Sequence, residues 1–157
     1  MPRTKIFYLI TGLCIGGAEK LLLALATRLD RSRFEPGVGT LVGGNLLEAF
    51  EREGIRVHNF AMRHKADVGV VFRLRRALLA ERPDVVHTHL LHADLLGRLV
   101  AWWCRVPAIV STFHMLEGPR HRWIVKSADR WTSRVNHALV AVSEEVKQGI
   151  ARVEGID

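Results

Sequence analysis

The chain lacks most of the features that announce a compartment or a cofactor. Its two cysteines, Cys14 and Cys104, have no C-x-x-C spacing and no disulfide-rich context, so reduced thiols in a cytoplasm are expected. No apolar run approaches the ~18 residues of a membrane span, and Leu21 to Ala26, than which none is longer, is expected to be a buried helix. Met1-Pro2-Arg3-Thr4 leads straight into an apolar segment without room for the hydrophobic region of a signal peptide, so secretion is not expected. There is no H-E-x-x-H, no D-x-D and no nucleic-acid recognition motif, and nucleic acid is not an expected partner. Acids are the scarcer charge: 16 Asp and Glu stand against 23 Lys and Arg, a formal net charge of +7. What is present is 157 residues, 48% hydrophobic and 25% charged, the profile of one globular domain with a substantial core.

Apolar runs of strand length alternate with helical segments along the whole chain. Strands are expected at Lys5–Ile10, Gly37–Val42, Ile55–Phe60, Asp84–His87, Ala108–Thr112 and Ala138–Val142. Helices are expected near Ala18–Leu29, Leu46–Glu53, Val68–Glu81, Leu91–Trp103, Arg120–Val135 and Ser143–Val153. Such βα repetition implies an α/β fold, a single doubly wound, Rossmann-like parallel sheet with helices on both faces. Sheets of this kind bind ligands beyond the carboxyl ends of their strands, beside the point where the strand order reverses.

One of those ends is rich in glycine. Thr11-Gly12-Leu13-Cys14-Ile15-Gly16-Gly17-Ala18-Glu19-Lys20 carries the chain from the first strand into a helix, whose N-terminal N–H groups suit a phosphate, a hydroxyl or a carboxylate. The glycines would equally serve close packing of helix on strand. The spacing is not G-x-G-x-x-G, and the second strand ends in Thr40-Leu41-Val42 without an acid, which argues against a dinucleotide. Gly17 is followed by Ala18-Glu19 and not by Lys-Ser/Thr, which excludes a P-loop.

Of eight histidines, His87, His89, His92 and His114 lie at or just past strand ends, on this same edge. Each could cap backbone groups there. Neutral imidazole is also a donor, an acceptor or a proton acceptor for a hydroxyl substrate, the role in which His114 is placed. A third use is zinc: His87 and His89 share a strand face, with His92 and Asp94 close in sequence, a set that a metal-dependent hydrolase would use.

Four segments carry a resemblance: Gly16-Gly17-Ala18-Glu19, Asp84-Val85-Val86-His87-Thr88-His89, Ser111-Thr112-Phe113-His114 and Val140-Ala141-Val142-Ser143-Glu144-Glu145-Val146-Lys147. In this order, over essentially the whole chain, they resemble the N-terminal domain of a family 4 glycosyltransferase of the GT-B fold. The resemblance implies that residues 1–157 form the Rossmann-like, acceptor-side half of a retaining enzyme. A C-terminal domain not contained in this chain would bind the donor, a nucleotide-diphosphate sugar. The family's paired donor-binding glutamates have no counterpart here. The resemblance places His114 against the transferred sugar as the catalytic residue, and puts Gly16, Gly17, Glu19, His87, His89 and Ser143 in substrate or donor binding. It implies transfer of a hexose to a glycan, a lipid-linked or a small-molecule acceptor, without a tightly bound cofactor or metal. This half alone would not turn over.

The basic excess is concentrated between Pro119 and Val135. Arg122, Lys126, Arg130 and Arg134 recur every fourth residue, beside Trp123 and an apolar stripe of Ile124, Ala128, Trp131 and Val135. A basic amphipathic helix with tryptophan suits an anionic membrane surface, which would make the protein peripheral on the inner face of a membrane. The same pattern describes an outer helix whose apolar stripe faces the core. A binding module that captures a nucleotide or an anion without catalysis is the other reading open for the whole chain.

Overall fold

The computed structural model describes residues 2–64, 67–114 and 123–154, without the side chains of residues 123, 124, 126 and 152–154. Six strands, β1 (Thr4–Ile10), β2 (Phe34–Thr40), β3 (Arg56–Asn59), β4 (Val85–His89), β5 (Ala108–Phe113) and β6 (Ala138–Ala141), form one parallel sheet in the order β3-β2-β1-β4-β5-β6. Between and after them run α1 (Gly17–Thr27), α2 (Leu47–Arg52), α3 (Gly69–Glu81), α4 (Leu91–Trp103), α5 (Trp123–Ser133) and α6 (Glu144–Glu154). The doubly wound α/β architecture expected from the sequence is therefore the observed one.

The central strand shows why an apolar run is needed. Tyr8 and Ile10 face a core with Leu22 and Ala26 of α1, Phe50 of α2 and Val38. Phe7 and Leu9 face the opposite core with Leu74 and Leu78 of α3, Val100 of α4, Val86 and Ile109. A strand buried on both faces cannot alternate apolar with polar. Each such side chain contributes ~1.5–3 kcal/mol by leaving water.

Three expectations are corrected. Leu21 to Ala26 is buried on one face only: Leu22 and Ala26 are buried while Leu21 and Leu25 are exposed, because α1 lies on the sheet and its outer side meets no other layer. β2 begins at Phe34, before the expected start, where Thr4 pairs with Phe34 and Ile6 with Pro36. Pro36 is tolerated because β3 pairs only from Gly37 onward, so no ladder bond is demanded of its nitrogen on that side. β4 continues past His87 to His89, held between Ile10 of β1 and Thr112 of β5.

α4 approaches the sheet closely at Gly97. A Cβ there would lie 2.6 Å from Leu9 Cδ2 and 2.7 Å from Thr88 Cγ2. This contact sets α4 directly over β1 and β4, the two strands between which the order reverses.

Candidate functional site

At the reversal, the ends of β1 and β4 are tied together. The Ala93 N–H, in the first turn of α4, donates to Thr11 Oγ1 at 3.2 Å, so the glycine-rich loop and the start of α4 are joined. Leu90, between His89 and α4, has φ 72°. A bulky residue in that region costs of order 1–3 kcal/mol and persists where its surroundings over-determine it, which is common at binding sites.

The histidines converge here. His87 and His89 point to one face of β4, their ring centroids 4.4 Å apart, with Tyr8 of β1 at 5.4 and 6.1 Å. His114, one residue past β5, meets His89 across the edge: His89 Nδ1 and His114 Nε2 are 3.0 Å apart. His87 Nε2 lies 2.7 Å from Thr112 Oγ1. Burial lowers the His87 pKa to about 4, helped by repulsion from His114. Burial, then the proximity of His87 and His114, holds His89 well below the ordinary histidine range. Burial also pushes the Tyr8 hydroxyl up to about 12. His87, His89 and Tyr8 are thus neutral hydrogen-bonding groups at neutral pH.

The glycine-rich loop forms the neighbouring wall. Gly16 precedes α1 in an extended conformation, and Glu19 folds back so that its carboxylate lies where a Cβ on Gly16 would be. That carboxylate sits at the positive end of α1, a place a phosphate would otherwise take. Among the described residues nothing lies within 4 Å of a Cβ built on Gly17, so the backbone there faces open space. The following loop is pinned to this one: the Leu13 N–H donates to the Gly43 carbonyl at 2.7 Å, and Gly44, at φ 145°, packs against the Leu13 backbone where no side chain fits.

The hydrolase set is not assembled. Asp94 lies on the other side of the sheet from His87 and His89, buried, accepting from Thr88 Oγ1 at 2.7 Å and 3.8 Å from the Arg98 guanidinium. Strand alternation dictates this: Thr88 faces away from its two histidine neighbours. His92 is half-buried in the first turn of α4. Among the described residues no group of three or more His, Cys, Asp or Glu is arranged to hold a metal ion.

Behind the histidines lies a polar network that periodicity did not reveal. Arg98, wholly buried in α4, donates from Nε to Ser111 Oγ at 2.8 Å and from Nη1 to Asp129 of α5 at 2.5 Å. Ser111 Oγ lies 2.7 Å from Thr88 Oγ1 and donates to Asn136 Oδ1 at 3.1 Å. The available signal was Asp94-x-x-x-Arg98, an ion-pair spacing inside an otherwise apolar helix.

Ser143 caps α6: its Oγ accepts from the Val146 N–H at 3.2 Å. In the basic stripe, Arg122 and the side chains of Trp123 and Lys126 lie outside the described residues, while Arg130 and Arg134 are exposed. Trp131, expected in the apolar stripe, is 61% exposed, and α5 instead turns Asp129, Thr132 and Ser133 inward. The reason is Arg98, which requires the Asp129 carboxylate. Cys14 and Cys104 are free thiols. Among the described residues no helix is long and apolar enough to cross a membrane.

A family model, Glycosyltransferase Family 4, matches residues 15–157. The chain belongs to glycosyltransferase family 4. Its sheet and helices recur in solved GT-B structures. Anabaena HepE, solved in complex with UDP, superposes with a TM-score of 0.80 at 19% identity, covering 96% of this chain and 41% of that one. A glycosyltransferase from Rickettsia africae superposes with a TM-score of 0.76 at 20% identity, over 100% and 41%. The UDP-GlcNAc 2-epimerase of Methanocaldococcus jannaschii does so with a TM-score of 0.66 at 20% identity, over 98% and 43%. No curated protein sequence matches significantly. The family 4 chain thus spans about two-fifths of the length of the structures it resembles.

Proposed function

We propose that residues 1–157 are the N-terminal, acceptor-binding domain of a sugar-nucleotide-dependent, retaining glycosyltransferase that transfers a hexose to a glycan, lipid-linked or small-molecule acceptor. A C-terminal domain supplies the nucleotide-diphosphate sugar, and this half is inactive alone. The observation that carries this reading is the His89–His114 pair at the carboxyl edge of the sheet, beside the strand reversal. His89, kept neutral by burial, is a hydrogen-bonding partner for His114, and His114 is the one we assign to the transferred sugar. The Glu19 carboxylate folded over Gly16 favours an acceptor hydroxyl over a phosphate at the start of α1. Peripheral attachment to the inner face of a membrane, through the basic side of α5, completes the proposal.

The test uses the intact protein with UDP-sugars and candidate acceptors. His114→Ala is expected to lower kcat at least about 100-fold with little change in Tm. Retained specific activity with a large loss of Tm would overturn the assignment of His114. Interconversion of the sugar nucleotide without transfer would replace a transferase with an epimerase.

A further inference from the structure

We propose that His89 is a positioning residue that holds His114 in a single neutral tautomer, with its hydrogen on Nδ1. The inference rests on the reading of His114 as the residue at the transferred sugar, and it specifies what that residue offers.

At 3.0 Å, His89 Nδ1 and His114 Nε2 share one hydrogen. One nitrogen carries it and the other accepts it, so the two rings can change tautomer only together. What decides between the two arrangements is the far nitrogen of His89. Nε2 is buried and has no hydrogen-bond partner among the described residues, in a residue that is 1% exposed. If His114 donated, His89 would carry its hydrogen on Nε2, leaving an orphaned N–H in the interior, a group that native structures rarely tolerate. If His89 donates from Nδ1, only a lone pair is left there. His114 then accepts at Nε2, and its own hydrogen lies on Nδ1.

The ring that imposes this choice is itself fixed. His89 is held by pairing on both sides, with Ile10 and Thr112, and lies against His87 with Tyr8 beside it. Leu90, at φ 72°, ends the strand immediately after it. As a hydrogen-bond donor through Nδ1, His114 would serve an oxygen that gains negative charge. It would not serve as the base for an acceptor hydroxyl, since its Nε2 lone pair is already engaged by His89.

The ring-nitrogen NMR shifts of the intact protein, labelled with 15N-histidine, test this directly. The expected result at neutral pH is a protonated Nδ1 and an unprotonated Nε2 on both His89 and His114. A hydrogen on His114 Nε2, or a tautomer mixture, overturns the proposal. His89→Leu removes the donor and is expected to turn His114 into a mixture, whereas His89→Asn supplies an amide N–H near the same point and restores the single form. An unchanged His114 spectrum in His89→Leu also overturns it, and should that variant not fold, the wild-type spectrum decides. In turnover, His89→Leu is expected to lower kcat about tenfold with KM little changed, and His89→Asn to recover it. If the spectra follow expectation and kcat does not, the tautomer lock stands and the placement of His114 at the sugar falls.

Discussion

Arg98 of α4 and Asp129 of α5 meet 2.5 Å apart, Nη1 to Oδ1, with neither side chain exposed to solvent. The pair fixes the rotation of α5. Arg98 also holds Ser111, which lies beside Thr88, the residue between His87 and His89 in β4. The back of the histidine edge is thus braced by the same arginine that orients the helix.

A buried ion pair need not add net stability, but losing one partner strands the other charge, at about 3–5 kcal/mol. Asp129→Ala leaves Arg98 with only the longer Asp94 contact, at 3.8 Å, and is therefore expected to destabilise the protein by up to about that amount in urea denaturation. Trp131→Ala, two residues on but 61% exposed, is expected to cost less than about 1 kcal/mol. The reverse ranking would mean that α5 is rotated from the arrangement described.

That contrast marks where the sequence was legible and where it was not. The strands could be read because burial on both faces makes an apolar run, as in Phe7-Tyr8-Leu9-Ile10. The shared face of His87 and His89 followed from strand period alone. Their meeting with His114 did not, because it depends on β4 pairing with β5 in the register that sets His89 opposite Thr112. The start of β2 was missed because Phe34-Glu35-Pro36-Gly37 has the composition of a turn and becomes strand only through pairing with β1. The face of α5 was misread because tryptophan outranks aspartate on any hydrophobicity scale. Only the tertiary demand of Arg98 reverses that order.

The buried histidines make stability sensitive to acid. With folded-state pKa values below the ordinary 6.5, about 4 for His87, the unfolded chain takes up protons that the folded one refuses. Stability is thus full above about pH 7 and falls as pH drops from about 6.5 toward 4. His87 accounts for of order 3 kcal/mol of that loss. Thermal melts between pH 7.5 and pH 5 should show the decline, and His87→Gln should make it shallower by up to one proton. Above pH 7.5 these two residues predict no dependence, and a flat profile down to pH 5 would show that they are not buried in neutral form.

The exposure of Trp131 between Arg130 and Arg134 bears on the proposed membrane contact. A tryptophan turned outward among cations is suited to the headgroup region of an anionic bilayer, where each base contributes about 1 kcal/mol. Changing Arg122, Lys126 and Arg130 together to Glu should weaken co-sedimentation with phosphatidylglycerol vesicles by at least about 100-fold, and raised salt should do likewise. Trp131→Ala should weaken it independently of salt. Unchanged binding in the triple variant would leave this side of α5 as a solvated surface.

Gly17 separates folding from binding most sharply. A Cβ there meets nothing within 4 Å among the described residues, so Gly17→Val has room in the folded protein and should leave Tm within a few degrees of wild type. The same space is where the acceptor is proposed to approach the backbone at the start of α1, and a branched side chain would fill it. In the intact enzyme the variant should therefore lose transfer while retaining its fold, with KM for the acceptor rising before that for the donor. Wild-type kinetics in Gly17→Val would place the acceptor elsewhere along the edge, and would leave the glycine explained by the local backbone alone.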